Sequence, residues 1–129
     1  MKFKLLIIDD SKSIRHLLTG LAEFFLEEQF PGDWEIATAG DGEEAAELMK
    51  KETFNIIICD VEMPKMDGYA FLPFAKANYP GTPVVMMSGV FDQQKEKMFR
   101  DMGADGFLAK PFKGHDLHEM IEKLAFPEK

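Results

Sequence analysis

The 129-residue chain has little cysteine and little positive charge, and both shortages narrow its possible functions. Its one cysteine cannot form an internal disulfide, which is typical of a reducing compartment, so we expect a cytoplasmic protein. The 15 lysines and arginines are outnumbered by 23 acidic residues, which gives a formal net charge of −8. Phosphate contacts need clustered lysine and arginine, and this charge therefore argues against direct contact with nucleic acid.

Long apolar segments are missing as well. The first apolar run, residues 5–8, is far too short for a signal peptide or a membrane helix, so no membrane contact is expected. The sequence also has no cysteine and histidine set at zinc spacing, no internal repeat and no Ser/Gly-rich linker. Its hydrophobic content of 46% is sufficient for a core, and its length fits one domain.

The sequence does contain two alternating hydrophobic periods. Short continuous apolar runs occupy residues 4–8, 56–59 and 84–87, with weaker runs at residues 34–39 and 106–108. Such runs predict strands that are buried on both faces of a parallel sheet. Apolar residues at helical spacing follow each run. The five-fold alternation predicts an α/β fold with a five-stranded parallel sheet and helices on both faces.

Helix boundaries are signalled at several positions. Ser11 or Ser13 could cap the first helix, and Asp92 the fourth. The third helical segment contains Pro73, which removes a backbone donor and crowds the carbonyl of Tyr69. Two outcomes remain open for this segment: a kinked helix, or a regular part that begins near residue 72.

Polar residues stand where four of the predicted strands end. They are Asp9 and Asp10 after the first strand, Asp60 after the third, Ser88 after the fourth and Lys110 after the fifth. Open α/β sheets bind ligands outside the carboxyl ends of their strands. Taken singly, most of these residues have simpler interpretations, such as a helix cap, a turn or a surface lysine. Asp60 is the exception, because a charge at the end of a buried run is costly unless it is paired or functional.

Three carboxylates in one site repel each other, so that one takes up a proton or a cation binds among them. Mg²⁺ suits a site with few carboxylates and an incoming phosphate. Asp60 then has two possible roles, as a metal ligand and as a nucleophile that attacks phosphorus to give an acyl phosphate. Lys110 and Ser88 would bind other phosphoryl oxygens.

The residues above, together with Pro111, resemble the signature of response-regulator receiver domains of two-component signalling. The resemblance runs from residue 4 to about residue 124. It implies that residues 1–129 form a single receiver domain that accepts a phosphoryl group on Asp60 from a histidine kinase or phosphotransfer protein. The reaction would depend on Mg²⁺ and would switch a downstream partner protein. The domain would be a signalling module, not an enzyme, although it would promote its own phosphorylation and dephosphorylation.

The resemblance also implies a metal site. Asp10, Asp60 and the backbone carbonyl of Glu62 would bind Mg²⁺, and Asp9 would act through a water molecule. Glu62 adds an acid at the mouth of the site, where family members vary. We expect it to change the lifetime of the phosphate, in a direction that the sequence does not give.

Further roles follow from the same resemblance. Ser88 would move toward the phosphate, Phe107 would reposition with it, and Lys110 would contact a phosphoryl oxygen. The bond between Lys110 and Pro111 would be cis. Gly89 stands where alanine is common, and its small size should keep access open. Phe107 stands where many receivers have tyrosine.

The resemblance places the output face on the fourth helix, fifth strand and fifth helix. Phe91 and Phe107 would anchor a partner there if they are partly exposed. The resemblance implies the strand order 2-1-3-4-5, which is the order of flavodoxin-like folds, including chemotaxis receivers. His115 and His118, three residues apart, are expected on a solvated face.

Several alternatives stay open. A haloacid-dehalogenase type phosphohydrolase also uses Mg²⁺ and an aspartate nucleophile, but it has a second aspartate where this chain has Glu62. A flavodoxin-like electron carrier would need a phosphate loop richer in Ser, Thr and Gly than residues 10–13. A pseudo-receiver would keep only the interaction surface. The chain could also be the receiver fragment of a longer regulator.

Overall fold

The computed structural model describes residues 2–89 and 92–126. Within this part of the chain, five strands alternate with five helices. In chain order they are β1 (Phe3–Ile8), α1 (Lys12–Gln29), β2 (Trp34–Ala39), α2 (Gly42–Lys51), β3 (Ile56–Asp60), α3 (Gly68–Asn78), β4 (Val84–Ser88), α4 (Gln93–Asp101), β5 (Gly106–Ala109) and α5 (Gly114–Ala125). The strands form one parallel sheet in the order β2-β1-β3-β4-β5, so the predicted fold class and strand order are confirmed.

The sheet is buried on both faces because its strands are continuously apolar. Every residue of β3 and β4 is buried. Ile57 packs in one core layer with Phe71 of α3, and the next residue, Ile58, packs in the other layer with Leu18 of α1. Alternate side chains of one strand thus support both layers. Burial of an aliphatic side chain of this size contributes about 1.5–3 kcal/mol.

Capping side chains fix where several helices begin. Ser11, not Ser13, caps α1, and its Oγ accepts a hydrogen bond from the Ile14 amide at 3.3 Å. Asp92 caps α4 in the same way, as predicted, and accepts from the Lys95 amide at 2.6 Å. These bonds satisfy amide donors that the helix itself leaves unpaired. They orient the first turns of α1 and α4, which lie next to the carboxyl ends of the strands.

The third helix begins at Gly68 and continues through Pro73, so the prediction that its regular part begins near residue 72 is wrong. Asp67 caps the helix, with Oδ1 accepting from the Ala70 amide at 3.0 Å. Pro73 is exposed, so its ring projects toward solvent. Burial of Phe71 and its neighbours against the sheet outweighs the loss of one backbone bond.

His118 corrects a second prediction, because it does not lie on a solvated face. It is half-buried, a ring nitrogen lies 2.9 Å from the Leu21 carbonyl, and its ring stacks on Phe25 with centroids 4.8 Å apart. His118 therefore joins α5 to α1. His115 remains exposed beside Asp116.

The longest helix, α1, is amphipathic. Leu18 and Leu26 are buried against the sheet, whereas Leu17 and Phe24 are exposed. Across the described parts of the chain, no helix combines the length and the apolar character that crossing a membrane requires.

Candidate functional site

The carboxyl ends of four adjacent strands bring the polar residues together. Asp60 and Ser88 are the last residues of β3 and β4, and Asp9 and Lys110 directly follow β1 and β5. The Lys110 amide donates to the Ser88 carbonyl at 2.7 Å, which extends the pairing of β4 and β5 by one residue. The sheet register therefore fixes the backbone positions of these residues.

Three carboxylates meet at this edge. Asp9, Asp10 and Asp60 each offer one oxygen, and the three oxygens lie within 4.8 Å of one another. Asp9 is 1% exposed and Asp60 is 7% exposed, whereas Asp10 is exposed to solvent. Carboxylate oxygens at this spacing suit a hard divalent cation such as Mg²⁺, and the solvent-facing side leaves room for its water ligands.

Lys110 forms ion pairs with the two buried acids. Its Nζ donates to Asp9 Oδ2 at 2.9 Å and to Asp60 Oδ1 at 3.0 Å. Burial alone would lower the pKa of Lys110, but these two bonds outweigh burial and hold its pKa above the ordinary value. Lys110 therefore stays protonated at neutral pH and supplies one positive charge against three negative ones.

Asp60 is a more basic carboxylate than an ordinary aspartate. Burial raises its pKa, the hydrogen bond from Lys110 opposes the rise, and the charge of Asp9 adds to it. A raised pKa means that the ionised form is disfavoured unless further positive charge arrives. A divalent cation would supply that charge. The raised pKa of Asp60 and the three carboxylate oxygens therefore both favour a divalent cation at this site.

The side chains around Asp60 leave an opening to solvent, which we call the acidic hollow. It is lined by Asp10, Asp60, Glu62, Met63, Ser88, Gly89 and Lys110. Asp9 is buried and is not among the lining residues, but it bonds to Lys110, which is. A ligand in the hollow would therefore contact Asp10 and Asp60 directly, whereas Asp9 would act on it through Lys110.

Two glycines hold the loop that follows Asp60. The Gly68 amide donates to the Val61 carbonyl at 2.8 Å, and a Cβ at position 68 would lie 2.7 Å from Val61 Cα. The Gly42 amide donates to the Met66 carbonyl at 2.9 Å. The loop is thus held between α2 and α3, and it presents the exposed residue Glu62 at the hollow. The sequence indicates that Gly68 lies in the loop after Asp60 and that Gly42 opens the second helix, but it does not indicate that the two glycines hold this loop.

Ser88 has a partner that the sequence predictions also missed. Lys95, in the first turn of α4, donates from Nζ to Ser88 Oγ at 3.1 Å. Its sequence neighbour Glu96 is acidic, so the sequence alone indicates only a surface of mixed charge around Lys95. Only the docking of α4 beside β4 shows that this lysine reaches the end of the strand.

The remaining predicted residues lie around this site. Phe107 is half-buried, with its ring centroid 6.3 Å from that of Phe99. Gly89 is exposed, and a Cβ there would have no atom within 4 Å. The Lys110–Pro111 peptide bond is cis. Phe91 lies outside the described residues.

Cys59 precedes Asp60 but faces the core layer of α3. Burial raises the pKa of its thiol well above the ordinary value, and the charges of Asp60 and Asp9 add to that rise. The thiol therefore stays protonated and does not compete with Asp60 as a nucleophile.

Known proteins share this sequence pattern and architecture. Residues 5–122 match the model of the response regulator receiver domain. The chain is 30% identical over 123 residues to the probable transcriptional regulator ycf27 of Porphyridium aerugineum, which covers 95% of this chain and 48% of that protein. The structure of Vibrio cholerae chemotaxis protein CheY4 is 31% identical with a TM-score of 0.84, covering 96% of this chain and 99% of that one. A chain of the CheX-CheY-BeF3-Mg+2 complex of Borrelia burgdorferi is 29% identical with a TM-score of 0.83, covering 94% and 87%.

The chain spans less than half the length of these curated relatives. The match covers 48% of ycf27 and 25% of the response regulator FleR of Pseudomonas aeruginosa. The rest of each relative lies outside the match, and its activity belongs to that protein.

Proposed function

Because this chain belongs to the family of response regulator receiver domains, we propose that it is a phosphorylation-activated switch with Asp60 as its phosphoacceptor. The observation that carries the proposal is the position of Asp60 in the acidic hollow. Its carboxylate is within reach of Asp10 on one side and 3.0 Å from Lys110 Nζ on the other. A nucleophile, a metal-binding acid and a fixed cation then surround one opening.

The phosphoryl transfer is a substitution at phosphorus. An Asp60 carboxylate oxygen forms the new O–P bond while the bond from phosphorus to the donor breaks, and the donor leaves with the bonding electron pair. The donor would be a phosphohistidine of a kinase or phosphotransfer protein. Burial leaves the Asp60 carboxylate less stabilised by solvent than that of an ordinary aspartate; this raises its pKa and favours attack.

The acidic set fits Mg²⁺, and we assign its ligands to Asp10, Asp60 and the backbone carbonyl of Glu62. Asp9, buried and bonded to Lys110, would act through a water molecule. When bound, Mg²⁺ would offset the repulsion between the anionic attacker and the anionic phosphoryl group.

Lys110 and Ser88 would hold the transferred group. Lys110 can move one of its donors from Asp60 to a phosphoryl oxygen, because an ammonium has three. Ser88, buried at the end of β4, faces the same hollow and would donate to another oxygen. These bonds exist only after phosphorylation and would favour one of two conformers, which is a population shift.

The partner surface is assigned to α4, β5 and α5. Phe107 is half-buried on β5, three residues before Lys110, and Met98 of α4 is exposed. A change at Lys110 would therefore reach this surface through one short strand. We place the reaction in the cytoplasm, where the buried Cys59 would remain a thiol.

Intact-mass measurement after incubation with Mg²⁺ and acetyl phosphate tests the assignment. We expect one phosphoryl adduct, which hydroxylamine removes because an acyl phosphate is labile to it. Asp60→Asn should abolish the adduct, whereas Asp101→Asn, which removes an exposed acid of α4, should leave it unchanged. An adduct that persists in Asp60→Asn would contradict the proposal.

A phosphohydrolase, the alternative function, would differ from a switch by catalysing multiple turnovers. Glu62, two residues after Asp60, is exposed at the hollow, where such an enzyme would need its acid/base group. A phosphohydrolase would turn over an external phosphoester many times per molecule, so steady release of phosphate from p-nitrophenyl phosphate would favour it over the switch.

A further inference from the structure

Lys95 differs from the other α4 cations whose contacts the structure describes. Lys97 bonds to Asp101 and Arg100 to Glu96, so both are paired along their own helix. Lys95 instead bonds across elements, from the first turn of α4 to Ser88 Oγ at the end of β4. It is half-buried, which is unusual for a lysine at the start of a helix.

In this hydrogen bond, Lys95 is the donor and Ser88 is the acceptor. An ammonium group has three donors and no acceptor, so Ser88 must accept through a lone pair of Oγ. The hydroxyl hydrogen of Ser88 therefore takes no part in this bond. Lys95 thereby constrains the rotamer and the donor direction of Ser88, which lines the acidic hollow.

We propose that Lys95 is a positioning residue that aims the Ser88 hydroxyl at the phosphoryl group and ties α4 to that hydroxyl. This inference rests on the function proposed above and adds a residue to it. Lys95 does not line the hollow, so it acts through Ser88 and not by contact with the phosphoryl group. When Ser88 moves toward a phosphoryl oxygen, Lys95 draws the first turn of α4 with it.

The geometry supports this coupling because both ends of the bond are anchored. Ser88 is 2% exposed and belongs to a fully buried strand. Lys95 follows the cap Asp92, whose side chain holds the Lys95 amide at 2.6 Å. A change in the Ser88 rotamer is therefore passed to the start of a capped helix.

Beryllofluoride with Mg²⁺, a stable mimic of the phosphoryl group, is the probe for the test. Its affinity is measured by titration of backbone amide signals in the wild type, Lys95→Gln and Lys97→Gln. The Lys97 variant removes the same charge from the same helix, but its ammonium is exposed and bonded to Asp101. We expect about tenfold weaker binding for Lys95→Gln, because the shorter, neutral amide loses the charge-assisted bond to Ser88, and less than twofold for Lys97→Gln.

Two further variants separate positioning from a structural role. Lys95→Arg keeps a charged donor of similar length at this position and should restore most of the affinity. In a Ser88→Ala background, Lys95→Gln should have no further effect, because the residue through which it acts is gone. A merely structural role would lower affinity equally in both backgrounds, which would overturn the inference.

The outcomes also distinguish this inference from the proposed function. If the wild type binds no beryllofluoride and gains no phosphoryl adduct, both proposals fail. If the wild type binds and Lys95→Gln behaves like Lys97→Gln, only the role of Lys95 is overturned. If Lys95→Gln weakens binding and the Ser88→Ala background abolishes that effect, the assignment stands.

Discussion

Asparagine at position 60 should stabilise the folded protein when no divalent cation is present. Asp60 Oδ1 lies 3.0 Å from Lys110 Nζ, an attraction of about 5.5 kcal/mol at an effective dielectric constant of about 20. Its carboxylate also lies within 4.8 Å of those of Asp9 and Asp10, and each repulsion costs about 3.5 kcal/mol on the same scale. Together the repulsions exceed the attraction, so we expect Asp60→Asn to raise the free energy of unfolding by about 1–2 kcal/mol.

Urea unfolding at pH 7 in EDTA, followed by circular dichroism, measures this difference. The control is Asp101→Asn, which changes the net charge equally but removes one member of an exposed pair with Lys97. Exposed pairs contribute about 0–1 kcal/mol, so this variant should match the wild type or be slightly less stable. An Asp60→Asn variant that is less stable than the wild type in EDTA would refute the electrostatic reasoning.

The difference in free energy of unfolding between Asp60→Asn and the wild type should increase with pH. The pKa of Asp60 is raised in the folded state, mainly by burial, so the folded protein binds this proton more tightly than the unfolded chain. Stability therefore falls as pH rises from the ordinary aspartate pKa through the raised value. The advantage of Asp60→Asn should develop across that window and be absent below it.

Mg²⁺ should reverse the order of the two proteins. A ligand at one hundred times its dissociation constant stabilises the folded state by about 2.7 kcal/mol. The wild type, with all three carboxylates, should gain this, whereas Asp60→Asn has lost one ligand and should gain less. Equal stabilisation of both proteins by Mg²⁺ would place the cation away from the acidic hollow.

Three other substitutions test the packing and charge of the site. Lys110→Met leaves two buried acids without their cation, so urea unfolding in EDTA should show a loss of about 3 kcal/mol. Because the pKa of Lys110 is raised, this contribution is complete below the ordinary lysine pKa and should disappear as pH rises through the raised value. Gly68→Ala should cost about 2 kcal/mol in the same assay, because its Cβ would lie 2.7 Å from Val61 Cα, whereas Gly81→Ala meets no atom within 4 Å and should have little effect. Gly20→Ala, in the exposed middle of α1, should stabilise the protein by about 1 kcal/mol in thermal unfolding.

The fold could be predicted because the strands are continuous apolar runs separated by helical patterns. A run such as residues 56–59 has no polar side to expose, so both faces must be covered, and that leaves few architectures. Parallel strands then bring residues as distant as Asp9 and Lys110 to one edge without any local signal between them. Strand alternation likewise predicts that Cys59, next to Asp60, faces away from the site, and Cys59 packs in the core layer of α3. For these residues, the hydrophobic pattern of each strand and the strand order of the sheet are sufficient to predict the position of the side chain.

Other features were not predictable because they depend on how a helix docks. Whether α3 survives Pro73 depends on which side of the helix the ring occupies, and the local pattern could not show that Pro73 would be exposed. His118 and Lys95 are polar residues on amphipathic helices, and their partners belong to other elements. Helix rotation decides such contacts, and a rotation of one residue moves a side chain by about 100°. Sequence periodicity alone does not fix rotation that closely.

The bond of Lys95 to Ser88, and not to an acid, affects the charge balance of the acidic hollow. One ammonium, from Lys110, already lies between Asp9 and Asp60. A second cation among the carboxylates would offset most of the charge that attracts a divalent cation, and metal affinity would fall. Bonded to a neutral hydroxyl, the ammonium of Lys95 remains beside the site without cancelling its charge. A phosphoryl group on Asp60, as the proposed function requires, would reverse this balance, because it would add negative charge on the Ser88 side, and the nearby cation would then favour the switched conformer.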